Sequence, residues 1–117
     1  MSGATSYHAG LAAEEIVKAR YASLGMTHAA SRWRGRGGEI DLIFRDGRAL
    51  IFVEVKASKT LDAAAARLSP RQAQRIMDAA QEYAGGEPQG LLSDMRVDLA
   101  CVDAQGRVAI IENALGW

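Results

Sequence analysis

Gly38-Glu39-Ile40-Asp41-Leu42-Ile43-Phe44 and Leu50-Ile51-Phe52-Val53-Glu54-Val55-Lys56 are short apolar runs that each carry acid where a buried strand should carry none. Each reads as a strand, and Arg45-Asp46-Gly47-Arg48 between them contains Asp-Gly, a strong hairpin signal. With Asp46 and Gly47 as the loop, Arg45 faces Arg48, Asp41 falls opposite Phe52, and Glu39 falls opposite Glu54. Side chains two apart share a face, so Glu39, Asp41, Glu54 and Lys56 are expected on one side of the hairpin. Neighbours on one face lie within roughly 5 to 8 Å, close enough for Asp41 and Glu54 to hold one cation. Carboxylates this close repel, and burying them unpaired is costly, so a positive charge belongs between them. Lys56 and a divalent metal are the two candidates. A three-residue loop would flip the parity and remove the site.

Glu-x-Lys is also common on solvated strand faces, where it needs no function. Here Ile51, Val53 and Val55 make one face wholly apolar, while Leu50 and Phe52 share the other with the charges. A strand of that kind is covered on both sides, and its charges gather at one end. That pattern favours a cleft.

At 117 residues and 49% hydrophobic content, the chain is expected to be a single domain, residues 1–117, with a core of its own. It has no apolar run of membrane-spanning length and no secretory leader, which points to a cytoplasmic protein. Cys101, its single cysteine, sits in the apolar run 97–102 and reads as a core residue. His8 and His28 have no zinc spacing, so any metal would be held by oxygen, as magnesium or manganese is. The net charge is zero, so attraction to nucleic acid would have to come from local patches.

Residues 9–24 carry Ala13, Val17, Tyr21 and Leu24 at helical spacing, with Gly25 as the stop. Glu14 lies at the edge of that stripe and Glu15 points to solvent, so the two are not equivalent. Glu14 either pairs with Lys18 one turn on or serves as a third carboxylate of the site. Residues 26–34 read as a first strand leading into the turn Gly35-Arg36-Gly37-Gly38. Arg32, Arg34 and Arg36 alternate along it, the first two sharing a face opposite Trp33. Arginines beside flexible glycines suit phosphate contacts, although exposed arginine also serves solubility.

Residues 57–68 show no clear periodicity, and a loop leaving the charged end of a strand is where a mobile lid would lie. The next helix starts with Ser69 as cap, Pro70 in the first turn and Gln72 closing a capping box, and it ends at Gly85-Gly86. Ala73, Ile76, Met77, Ala80 and Ala84 form its expected buried stripe. Arg67, Arg71 and Arg75 recur every four residues and either track a phosphate backbone or make an ordinary polar face. Residues 96–102 and 107–112 read as two last strands joined at Ala104-Gln105-Gly106, with Asp98 as a structural acid. The expected order is α-β-β-β-α-β-β, an α/β mixed sheet of about five strands with helices on its faces.

An acidic helix, an aspartate on one strand, and Glu-x-Lys on the next after a hairpin resemble the restriction-endonuclease-like fold with its PD-(D/E)xK signature. Ile40-Asp41 lacks the proline of that signature. More narrowly, residues 10–14, Gly38 to Ile43, Phe52 to Lys56 and Arg96-Val97-Asp98 resemble the YraN-like family of small bacterial proteins, over nearly the whole chain. Near the start of the second helix, where a family lysine is expected, this chain has Gln72 with Arg71 beside it.

The resemblance implies a magnesium- or manganese-dependent phosphodiesterase acting on nucleic acid, DNA first, including branched or repair intermediates. Asp41 and Glu54 would hold the ion and Glu14 would complete its shell. Lys56 would position the attacking water and help deprotonate it. Arg32, Arg34, Arg36, Arg71 and Arg75 would hold phosphates, with Glu39 and Gln72 in secondary roles. A non-cleaving nucleic-acid-binding module or subunit that keeps the nuclease fold is the alternative, and an incidental charged hairpin in a structural protein is a third. A homodimer would supply the footprint that so small a domain lacks on duplex DNA.

Overall fold

The computed structural model describes residues 3–90 and 93–116, with side chains from residue 10 onward, so the side chain of His8 lies outside the described residues. The elements run α1 (Gly3–Ser23), β1 (Thr27–Arg34), β2 (Glu39–Asp46), β3 (Ala49–Ala57), α2 (Leu61–Ala65), α3 (Pro70–Gly85), β4 (Met95–Val102) and β5 (Val108–Ile111). One five-stranded sheet has the order β1-β2-β3-β4-β5. Its β3–β4 pair is parallel and its other pairs are antiparallel, so the chain must cross over between β3 and β4. The α2 and α3 helices lie in that crossover.

Helices on both faces explain why β3 reads as a continuous apolar run. On one face Ala13, Val17 and Tyr21 of α1 pack on Leu42, Phe44, Ile51, Val53, Ala100 and Val102. The Tyr21 ring stacks on Phe44 with centroids 4.6 Å apart. On the other face Ile76, Ala79, Ala80 and Ala84 of α3 pack on Ile40, Ile43, Leu50, Phe52 and Val97. Ala79 takes a place in the α3 stripe that the sequence pattern gave to Ala73 and Met77, which are only half-buried.

The hairpin register differs from the expected one. Asp46 pairs with Ala49 and Ile43 with Phe52, so the two-residue loop is Gly47-Arg48. Gly47, at φ +62°, stands first in that loop, a position with positive φ that suits glycine. The Asp46-Gly47 loop would have set Arg45 against Arg48, an unfavourable like-charge pair. The slip is two residues, so side-chain parity survives, and one further step of the register brings Asp41 opposite Glu54 instead of Phe52.

Residues 57–68 are not a structureless lid. Thr60 caps α2 by accepting from the Ala63 N–H, and Ala64 is fully buried against Leu99 and Cys101. Its single turn is too short for periodicity to reveal. Half of the capping box of α3 forms: Ser69 Oγ accepts from the Gln72 N–H at 3.1 Å, while the Gln72 side chain goes elsewhere.

The β1–β2 turn is pressed onto α3. A Cβ at Gly38 would lie 2.9 Å from the Arg75 carbonyl oxygen, a backbone atom that cannot turn aside. Gly38→Ala is therefore expected to lose about 1–3 kcal/mol in urea unfolding. Gly10→Ala, with nothing among the described residues within 4 Å of its new methyl, is expected to gain roughly 0.5–1 kcal/mol in the same measurement.

Candidate active site

Strict alternation fails at one point in two neighbouring strands. Ile40 and Ile43 both pack on the α3 side, as do Trp33 and Ala30, although each pair is three residues apart. Strict alternation would put them on opposite faces. Between them lie Asp41 on β2 and Arg32 on β1, opposite one another by the pairing of Ser31 with Leu42 and Trp33 with Ile40. Arg32 has φ +48°, left-handed for a non-glycine residue, which accounts for the turned strand.

The β2–β3 ladder stops at Leu42–Val53, and beyond it the Val55 N–H donates to Asp41 Oδ2 at 2.8 Å. The aspartate side chain thus takes a ladder donor. Glu54, 6% exposed, stands beside it. Its Oε2 accepts from Gln72 Nε2 at 2.9 Å and lies 3.3 Å from Lys56 Nζ. Burial first, then the charge and contact of Asp41, push the Glu54 carboxyl well above the ordinary glutamate range, against the opposing pull of Lys56.

The other acids are arranged differently from expectation. Glu14 pairs with Arg32, Nη1 to Oε1 at 3.0 Å, and not with Lys18, which reaches Glu15. Burial, then Asp41, raise the Glu14 carboxyl despite Arg32. Glu39 does not stand opposite Glu54; it accepts from Arg34 at 3.1 Å, and its charge bears on Glu14. The break of alternation at Arg32 accompanies its pairing with Glu14, and the two-residue slip of the hairpin sets Asp41, not Glu39, opposite Glu54.

The basic residues divide. Arg34, Arg36 and Arg75 line a concavity of about 370 Å³ with Gly35, Gly37, Gly38 and Glu39. Arg71 is exposed on the first turn of α3, while Arg67 precedes that helix and donates to the Ala57 carbonyl at 2.6 Å. Arg32 belongs to the acid cluster, not to a row with Arg34 and Arg36. Its capture of Glu14 had no signal in the sequence apart from its position opposite Asp41.

No group of three His, Cys, Asp or Glu side chains among the described residues is arranged to hold a metal, so Glu14 does not complete the pair while Arg32 holds it. Asp41 and Glu54 alone still fit a hard divalent ion, which needs one or two carboxylates and keeps several waters. Among the described residues the nitrogen donors fall on Asp41 Oδ2 and Glu54 Oε2, and the two carboxyls also contact each other.

The Glu54 shift gives a pH test in metal-free buffer. A raised folded pKa contributes stability that is complete below the ordinary value of 4.5 and is lost as pH rises through the higher folded value. Glu54→Gln is expected to raise Tm by roughly 5 °C at pH 9 and to leave it unchanged at pH 4. Calorimetric scans across that range read the difference.

Asp98, as expected, is structural: it is fully buried and accepts from Arg96, Tyr21 and the Asn113 N–H. Cys101 is buried and free. No described helix is long and apolar enough to cross a membrane.

The sequence profile described as "Uncharacterised protein family UPF0102" matches residues 13–102, a span that includes Glu14, Asp41, Glu54, Lys56 and Asp98. A UPF0102 protein of Cereibacter sphaeroides strain KD131 is 59% identical over 114 residues, 97% of each chain. One of Roseobacter denitrificans is 53% identical over 97% of this chain and 88% of its own. A third, from Dinoroseobacter shibae, is 41% identical over 95% of this chain and 83% of its own. The matched span and these identities together establish that the chain belongs to the UPF0102 family.

Proposed function

We propose that this protein is a metal-dependent nuclease with a restriction-endonuclease-like site, hydrolysing phosphodiester bonds in nucleic acid, DNA first. The observation that carries this reading is the buried contact of Asp41 and Glu54 beside Lys56, where the β2–β3 ladder gives way. Two acids and a lysine collected at that point have no packing role that apolar residues would not fill better.

Asp41 and Glu54 would hold a magnesium or manganese ion. Bound there, the ion would supply Lewis-acid activation of water and offset charge on the phosphate oxygens. Lys56, 3.3 Å from Glu54 Oε2 and 13% exposed, would orient a water at the site and, as an ammonium, favour release of that water's proton to solvent. Gln72 holds Glu54 from the α3 side and so fixes its rotamer. Arg34, Arg36 and Arg75, which share one concavity, together with Arg71 on the first turn of α3, would supply the basic groups along which a backbone is aligned.

A non-cleaving nucleic-acid-binding module is favoured by one observation: the acids already have protein partners, Gln72 and Lys56 on Glu54 and Arg32 on Glu14. Incubation with single-stranded, duplex, nicked, flapped and four-way-junction DNA and with RNA, with and without Mg²⁺ or Mn²⁺, separates the two. Metal-dependent cuts support the nuclease. Binding without cuts under every metal condition supports the module and ends the nuclease reading.

A further inference from the structure

We propose that Arg32 is a metal-displaced clamp: it holds Glu14 while the site lacks its cation and is released to a substrate phosphate when a divalent ion arrives. The inference rests on the nuclease reading of the same site and names the residue that couples metal loading to substrate contact.

Arg32 lies opposite Asp41 in the β1–β2 pair and bonds Glu14 at 3.0 Å. It does so at φ +48°, a backbone conformation that disfavours a side-chain-bearing residue. Its side chain is 51% exposed, whereas Glu14 is 15% exposed. The guanidinium can therefore leave without opening the core, but the carboxylate cannot follow it into water.

Charge balance supplies the trigger. Glu14, Asp41 and Glu54 crowd one end of the sheet, and Arg32 is the cation that offsets Glu14. Were Asp41 and Glu54 to hold a divalent ion, its charge would turn Arg32 from counterion into a repelled neighbour. Glu14 is then free to turn toward the ion or a water on it. Arg32, next to Arg34 on the same strand, joins those basic groups and gains a phosphate partner.

The test uses full-length protein, wild type and Arg32→Gln, with Arg32→Gly as the variant whose backbone accepts the left-handed position without strain. Calorimetric Mn²⁺ titration without nucleic acid should show both variants binding about tenfold more tightly than wild type. Binding of a fluorescein-labelled DNA duplex is then measured with Ca²⁺ and with EDTA. Both variants should lose affinity several-fold in Ca²⁺ and be unchanged in EDTA, where Arg32 is occupied by Glu14.

Equal losses in Ca²⁺ and EDTA would make Arg32 a fixed phosphate contact and overturn the clamp. Mn²⁺ binding by wild type that is not tightened in either variant overturns it too, while leaving the nuclease reading standing. Absence of Mn²⁺ binding in wild type and both variants removes the nuclease reading and the clamp together.

Discussion

Asp41→Ala is expected to lower metal-dependent cleavage by at least about a thousandfold, with Lys56→Ala close behind. Asp41 has two roles, and the alanine variant removes both. Its Oδ2 accepts from the Val55 N–H, and its charge acts on the Glu54 carboxyl. Loss of the acceptor strands a backbone donor at the end of the ladder, which alone disfavours the local structure by about 1–3 kcal/mol. Loss of the charge halves the anionic set that would hold an ion.

Asp41→Asn separates the two roles. Its amide oxygen can still accept from Val55 N–H, so the strand end stays in place, but the negative charge is gone. The expected pattern is a Tm near wild type, Mn²⁺ binding weakened by more than about tenfold and cleavage lost as in the alanine variant. Lys56→Ala should keep Mn²⁺ binding, or tighten it by removing a competing cation, and still lose cleavage. Those opposite effects on metal and rate mark a residue that serves the water and not the ion. Cleavage at the wild-type rate by Asp41→Asn would show that the reaction, if any, occurs elsewhere.

The apolar runs of β2 and β3, and Ala13, Val17 and Tyr21 in the stripe of α1, were legible because burial is recorded directly in composition, whereas Leu24, expected in that stripe, is 57% exposed just beyond the helix. Parity in the hairpin was legible for the same reason, and it survived a two-residue slip in register. The slip itself turned on whether Gly47 stands first or second in a two-residue loop, and Asp-Gly is compatible with both turn placements.

What the sequence did not convey was the joint break of alternation at Arg32 and Asp41. A left-handed arginine has no local signature; here it accompanies the ion pair to Glu14 on α1 and the placing of Trp33 and Ile40 on the α3 side. The partner of Glu14 was misjudged in consequence, because Lys18 is adjacent on the helix while Arg32 is brought in by the sheet. Gln72, placed near the site from its position at the start of α3, reaches Glu54 only because α3 packs across the β3 face. Local rules predicted its cap role, and the tertiary contact took the side chain instead.

Asp98→Ala should be the most destabilising single change away from the site, at about 3–5 kcal/mol, or roughly 10–20 °C in Tm. The carboxylate is fully buried and gathers donors from three parts of the chain, of which Arg96 also reaches Glu112 Oε2 at 3.8 Å. Tyr21 OH reaches Oδ2 at 2.8 Å, Arg96 Nε and Nη2 reach the two oxygens at 3.0 and 3.2 Å, and the Asn113 N–H reaches Oδ1 at 3.0 Å. These four bonds join α1, β4 and the turn after β5. The alanine leaves a buried phenol and a partly buried guanidinium facing a cavity, and the loss of the charged partner outweighs the small gain from shedding a buried ion. Burial and the neighbouring Asp98 raise the Tyr21 hydroxyl far above its ordinary range, so the phenol remains a donor across the accessible pH range.

Tyr21→Phe removes a single bond and should cost only about 1 kcal/mol, with its ring still stacked on Phe44. Asp98→Asn should fall between the two, since it retains an acceptor but surrenders the charge opposite Arg96. A domain of this size has only about 5–15 kcal/mol in hand, so Asp98→Ala consumes a large part of it. Because Asp98 lies on the α1 side with Tyr21, away from the Glu54 carboxyl, the variant that remains folded at low temperature should bind Mn²⁺ as wild type does. An Asp98→Ala protein that unfolds at the wild-type Tm would mean that the network does not stabilise the fold, and that the buried acid serves some other purpose.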